Sequence, residues 1–330
     1  MNLRHLGALG LLCCAVAGAA PNGMGSQPQR GSTKLIDPGN RPAPILTLLR
    51  MGDDEVWSGD LEGRVVRHAF GSRTETTPIA VLGGAAVQLV KHEDRVFAVD
   101  DRGAVWRVTS EPTRVALHPG GAHALAVSAD GARFATAGGD GTIRLWDANG
   151  EAKGVLEGHT GPVIGVAFDP QKPERLFSAG HDGTVRSWKL SGGAGDKPFR
   201  GKSKEEQKGK RELNGLAINA SGEHLLSCSF DGSVTLWDVE KRKLSARPLP
   251  QRSYAELAQQ VGFSPEGKRG VVVLSGESAL LVFDVDEVGS PLRLERGLDA
   301  PASAAFLDET TLVVGGYAGG VTRLPIGGSQ

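Results

Sequence analysis

Histidine, a hydroxyl residue and aspartate recur together along this chain: His118, Thr136 and Asp140, then His159, Ser178 and Asp182, then Ser227 with Asp231 but no histidine. A hydroxyl, an imidazole to take its proton and a carboxylate to orient the imidazole are the parts of a nucleophilic hydrolase, so acyl transfer is the first chemistry to weigh. Recurrence argues against it. The set returns in successive segments and is followed each time by a tryptophan (Trp146, Trp188, Trp237), which points to a repeated structural role rather than to one active centre. Other enzyme signals fail on spacing. Gly195-Asp-Lys-Pro-Phe-Arg-Gly-Lys-Ser203 approximates a phosphate loop, but five residues separate its glycines where four are required. His-Glu-x-x-His, paired Cys-x-x-Cys and Gly-x-Ser-x-Gly are absent and the eight histidines are scattered, so neither a metal nor a cofactor is expected.

The elements that carry these residues are copies of one another. Residues 136–147, 178–189 and 227–238 overlay without gaps, each reading as a strand, an Asp-Gly turn and a second strand. Weaker copies keep the register, the turn glycine recurring at Gly63, Gly103, Gly141, Gly183, Gly232 and Gly319, with Ser278 in its place once. Seven units over Leu35 to Ile326 come to about 42 residues each, within the roughly 40 to 45 of a four-stranded propeller blade. Each unit opens with an apolar strand: Ile45 to Leu49, Ala86 to Val90, Ala124 to Val127, Val163 to Phe168, Leu216 to Ile218, Val261 to Phe263 and Ala302 to Phe306. Their lack of strict alternation fits strands covered on both faces, placed innermost around an axis. These runs contain no Asp, Glu or His, so an axial metal site is not expected. The expected fold is all-β, a seven-bladed β-propeller of four-stranded antiparallel blades over residues 33–326. The last blade runs out of sequence, and Thr33 to Asp37 is predicted to supply its outer strand, covering an edge that would otherwise pair with another chain.

Gly158-His159, Trp146-Asp147 and Trp237-Asp238 are the residues by which the chain resembles the WD-repeat family. The resemblance implies that His118, Thr136, Asp140 and Trp146 form a hydrogen-bonded structural tetrad, as do His159, Ser178, Asp182 and Trp188. It implies the same for Ser227, Asp231 and Trp237 without a histidine. It further implies binding of protein partners through the residues just before the turn aspartates, here Leu61, Asp101, Gly139, His181, Phe230, Gly276 and Tyr317, with His181, Phe230 and Tyr317 as aromatic anchors. The expected function is therefore a non-enzymatic interaction scaffold. The alternative is a propeller hydrolase or lyase acting on a small molecule or sugar in the axial pocket.

Residues 1–19 read as a signal peptide, with a basic start, an apolar run over Leu6 to Ala17 and small residues before a cleavage site after Ala19. Export to the periplasm or medium is expected, with a lipid anchor on Cys13 or Cys14 as the alternative address. Residues 20–32 read as a flexible leader and 327–330 as a tail. Once the leader is removed one cysteine, Cys228, remains, expected in the core rather than as a reactive thiol. A formal charge of −1 implies neither nucleic acid nor an anionic membrane as partner, no segment is long enough to span a bilayer, and a monomer is expected. Lys197 to Arg211 is a basic insertion, expected as a solvated loop or as an arm for an acidic partner. Asn219-Ala-Ser221 fits a glycosylation acceptor.

Overall fold

The computed structural model describes residues 43–190, 195–199, 212–241, 243–246, 257–275, 279–287, 292–294, 298 and 300–326, all within the unit Thr33–Gln330. Residues 1–42, which hold the expected signal peptide, leader and closing strand, lie outside the described residues, as do Gly276, Ser278 and the tail 327–330. The described residues form seven antiparallel sheets, numbered here in chain order, with strands adjacent in sequence also adjacent in the sheet. Their first strands are Ile45–Gly52, Ala86–His92, Ala122–Val127, Val163–Phe168, Leu213–Ile218, Leu257–Phe263 and Pro301–Asp308. Each of these touches the first strand of the next sheet, and Pro301–Asp308 also touches Ile45–Gly52.

Packing follows from what one small sheet cannot do alone, which is hide two apolar faces. Seven hydrophobic clusters each straddle two consecutive sheets, and one of them joins Leu307, Val313 and Val321 of sheet 7 to Ile45, Leu48, Val56 and Phe70 of sheet 1. Buried Cys228 belongs to the cluster between sheets 5 and 6, and burial pushes its thiol pKa up, keeping it protonated. The turn glycines mark the register: Gly63, Gly103, Gly141, Gly183, Gly232 and Gly319 have φ of +82°, +85°, +81°, +76°, +78° and +78°. That left-handed conformation costs glycine nothing and other residues more, and each glycine N–H closes the turn on the carbonyl three residues back.

Sheets 1 to 6 have four strands, and sheet 7 has three among the described residues, ending with Val321–Pro325. Other expectations change. Lys197 belongs to no loop: Gly195–Phe199 is the outer strand of sheet 4, paired with Val185–Lys189, while residues 200–211 of the basic insertion lie outside the described residues. The third inner strand begins at Ala122 and therefore includes His123, so the inner strands are not free of imidazole. Asn219 is buried and its Oδ1 accepts the His224 N–H at 3.0 Å, closing a hairpin, which removes it as a glycosylation acceptor. Among the described residues no helix is long and apolar enough to cross a membrane.

Candidate functional site

One end of the sheets carries the chemistry, and a bulge shared by all seven inner strands shapes it. The register with the second strand skips one residue near the start of each: Leu46, Val87, His123, Ile164, Asn214, Gln259 and Ala302. A bulge leaves its residue out of the ladder and re-aims the side chain. At the same end, the backbone N–H of the residue before each turn aspartate or its counterpart reaches a carbonyl at the entry to the inner strand. Leu61 bonds to Pro44, Asp101 to Ala85, Gly139 to Gly121, His181 to Pro162, Phe230 to Glu212 and Tyr317 to Ala300, at 2.9 to 3.4 Å. The partner-binding set expected from sequence thus occupies one equivalent position in six sheets; Gly276 is outside the described residues.

The side chains at this end are held rather than free. His181, Phe230 and Tyr317 are half-buried, not fully exposed. The His181 ring meets Phe230 edge-on at 5.5 Å between centroids, and the Tyr317 hydroxyl exchanges hydrogen bonds of 2.8 and 3.1 Å with the Gln259 amide of sheet 6. Leu61 is half-buried, and exposed Asp101 accepts the Ala85 N–H at 2.9 Å. Burial lowers the pKa of His181 against the opposing pull of Glu212 and Asp182. Burial also lowers that of His123, helped by the nearby His181 and His118. Both rings are therefore neutral at pH 7, and they stand with Phe230, Tyr317 and the amides of Asn214 and Gln259 among exposed charged residues of the turns such as Glu62, Asp101 and Asp231.

Beneath that surface lie the histidine sets. In sheet 4, Trp188 Nε1 donates to Ser178 Oγ at 2.8 Å, Ser178 Oγ lies 2.7 Å from His159 Nε2, and His159 Nδ1 lies 3.0 Å from both Asp182 oxygens. In sheet 3, Trp146 Nε1 donates to Thr136 Oγ1 at 3.0 Å, which lies 2.8 Å from His118 Nδ1, and Nε2 faces Asp140 at 3.3 Å. The carboxylate fixes the proton on the nitrogen facing it, so the other nitrogen accepts from the hydroxyl, which in turn accepts from the indole. Burial pushes the Asp182 carboxyl up, but hydrogen bonds from His159 and Thr184 outweigh it and hold the group well below the usual carboxylate range. Asp140 is lowered in the same way, burial being outweighed by bonds from Thr142 and His118. Sheet 5 keeps Trp237 Nε1 on Ser227 Oγ at 2.9 Å, while exposed Asp231 accepts the Ser233 N–H at 2.9 Å. The hydroxyls of Thr136, Ser178 and Ser227 belong to residues at most 1% exposed, so none can meet a substrate.

Two residues were missed in the sequence. Asp60 and Asp100 stand where sheets 3 and 4 have Gly138 and Gly180, and a Cβ at those glycines would fall on the His118 and His159 rings. In sheets 1 and 2 the carboxylate thus fills the space of the missing histidine. Asp100 accepts from Trp106 Nε1 at 2.9 Å and Asp60 from Arg64 Nε at 2.5 Å. The signal was present as Gly-Asp and Val-Asp before the turn in place of Ala-Gly in both sheets 3 and 4. Sheet 1 also puts His68 in the place of the tryptophan, its Nε2 2.8 Å from Ser58 Oγ. Among the described residues no three His, Cys, Asp or Glu side chains gather closely enough to hold a metal ion.

Repeated four-stranded sheets, a common bulge and a Trp–hydroxyl–His–Asp network define a repeat protein of the propeller class. Comparison with known proteins supplies the repeat type: residues 111–147, 150–189 and 201–238 match the WD40 model, described as WD domain, G-beta repeat. The chain carries WD40 repeats there, over the sheets with the tryptophan networks. A small ribosomal subunit protein, RACK1 of Candida albicans (strain SC5314 / ATCC MYA-2876), is 36% identical over 96 residues, which are 29% of this chain and 30% of that protein. The match thus spans under a third of the relative's length. The crystal structure of the WD40 beta propeller domain of Doa1 superposes with a TM-score of 0.72 at 15% identity, covering 88% of this chain and 94% of that one, a likeness of fold.

Proposed function

We propose that the seven sheets form a seven-bladed propeller that works outside the cytoplasm, without catalysis, as a monomeric scaffold binding a protein partner at the turn end. The observation that carries this reading is the convergence there of the bulge residues His123, Asn214 and Gln259 with the half-buried His181, Phe230 and Tyr317. Aromatic groups already pinned by neighbours lose little conformational entropy on binding, which suits them as anchors. The relative's name makes it part of a ribosomal subunit, a component of an assembly, which supports reading such repeats as a binding frame. Residues 1–19 act as the export signal, and Thr33 to Asp37 adds the fourth strand to sheet 7, whose Val321–Pro325 pairs on one side only among the described residues.

Affinity purification of the exported protein from its source, beside Phe230→Ala and Tyr317→Ala, tests the site. Loss of the same partner from both variants is expected, and its equal recovery by the double variant would remove the turn end as the binding surface. N-terminal sequencing of the mature protein should begin at Ala20. Deletion of residues 32–38 should lower the melting temperature sharply, and an unchanged melt excludes the closing strand.

A further inference from the structure

A cavity of about 270 Å³ opens between sheets 6 and 7 and reaches sheet 1, toward the C-terminal ends of the inner strands and away from the turn end. Aligning the inner strands on their bulges shows why it exists. Two residues after the bulge, sheets 1, 2, 3 and 5 carry Leu48, Leu89, Leu125 and Leu216, and sheets 4 and 6 carry valine, but sheet 7 has Ala304. One residue further, sheet 6 has Gly262, where an added Cβ would meet nothing nearer than Val271 Cγ1 at 3.5 Å. Two shortened side chains on facing strands leave space that the other sheets fill.

The walls of that space are apolar: Phe263, Phe306, Val271 and Leu48. Its polar side chains, Gln260 and Arg50, offer donors towards a ligand. Gln260 Oε1 is committed to the Ala304 N–H at 2.9 Å, which leaves the amide nitrogen for the cavity. Arg50 gives Nε to the Leu307 carbonyl at 2.5 Å and Nη2 to exposed Asp53 at 2.7 Å, leaving Nη1. Among the described residues no carboxylate lines the cavity, and the Asp53 paired with Arg50 is exposed outside it. The volume lies near the small end of ligand sites, about 300 to 1,000 Å³, too little for a folded partner and enough for a short chain or single ring.

We infer that this cavity binds a small organic monocarboxylate, its carboxylate held by Arg50 and the Gln260 amide and its apolar tail between Phe263 and Phe306. The site is independent of the turn end and of partner binding there. Calorimetric titration of the full chain with octanoate, octylammonium and octanol tests it. Octanoate should bind saturably and octylammonium not at all. Octanol should bind more weakly than octanoate. Arg50→Gln should weaken octanoate roughly tenfold or more, the loss expected for a hydrogen bond to a charged group. Ala304→Leu, which restores the leucine of four other sheets, should abolish binding, and Gly262→Ala, for which there is room, should weaken it in a chain that still melts cooperatively. No saturable octanoate binding, equal binding of octanol, or octanoate affinity unchanged by Arg50→Gln or by Gly262→Ala would each overturn the assignment.

Discussion

In sheets 3 and 4 a polar chain runs within the sheet, from the indole through the hydroxyl and imidazole to the turn carboxylate. In sheets 6, 7, 1 and 2 the polar side chains of the inner strands reach sideways instead. At the position after the bulge, Thr47 Oγ1 accepts the Leu89 N–H at 3.2 Å, Gln88 Oε1 the Leu125 N–H at 2.8 Å and Gln260 Oε1 the Ala304 N–H at 2.9 Å, while Ser303 Oγ donates to the Ile45 carbonyl at 2.8 Å. Sheets 3, 4 and 5 have Ala124, Gly165 and Gly215 at that position. An inner strand has a hydrogen-bonded neighbour on one side only, so its axis-side backbone groups need other partners. The four sheets that depart from the repeat signature meet that need by clasping the next sheet. The signature sheets lock their own turns and approach through small residues, a Cβ at Gly165 lying only 2.7 Å from that of Leu216. Sheet 5 stands between, lacking a histidine and reaching sheet 6 through Asn214 Nδ2, which donates to the Ala258 carbonyl at 3.1 Å.

The largest effect should come from removing the indole of a signature sheet. Trp188 is 2% exposed and gives Ser178 its donor, so Trp188→Ala should cost about 4 kcal/mol in urea unfolding, from cavity and lost hydrogen bond together. Trp57 of sheet 1 is half-buried and bonds Glu55 at 2.9 Å, and its alanine variant should cost about half as much. Equal losses would mean that the two regions are not built differently.

Acid should next weaken sheet 1 through its buried imidazole. Burial lowers the His68 pKa to about 4, below the usual imidazole value of about 6.5, so between these values the unfolded chain binds the proton and the folded one does not. The stability from neutral His68 is present in full above pH 6.5 and is lost as pH falls towards 4, on the order of 3 kcal/mol by then. His68→Trp, which copies the signature sheets, should flatten that part of the pH dependence. A profile unchanged by the substitution would place the acid sensitivity elsewhere.

The clasps should matter less, and singly. Gln88→Ala leaves the N–H of fully buried Leu125 without its partner, for an expected loss of about 1.5 kcal/mol. Amide exchange at Leu125 should quicken with it, and an unaltered rate there would show that the clasp does not protect the strand.

Legibility in the sequence divides along the same line. Sheets 3, 4 and 5 could be read because an Asp-Gly turn and a tryptophan ten residues after the hydroxyl are fixed by local geometry that few residues satisfy. The bulge could not be read, since its residues run from leucine through histidine and asparagine to alanine. A bulge is set by register, and register leaves no composition behind. Thr47, Gln88 and Ser303 sat in runs taken as apolar, and Gln260 just before one, because their partners are backbone atoms of another sheet, far away in sequence. Asp60 and Asp100 were hidden for a related reason, the acid being supplied by the second strand while the repeat pattern looks for it in the turn.

Not every buried polar group in a signature sheet contributes to its lock, and Ser187 tests that limit. It sits in the strand of Trp188, where sheets 3 and 5 have Leu145 and Leu236, is 1% exposed, and its Oγ has no hydrogen-bond partner among the described residues. A buried hydroxyl without a partner has lost its water and gained nothing in exchange. Ser187→Ala should therefore leave the urea midpoint unchanged or raise stability by up to about 1 kcal/mol. Ser178→Ala, one strand away, should lower it by roughly 2 kcal/mol, because both the Trp188 indole and the His159 ring lose their partner. If the two serines cost the same, the network in sheet 4 is only a set of contacts, and the contrast between the two halves of the molecule rests on the clasps alone.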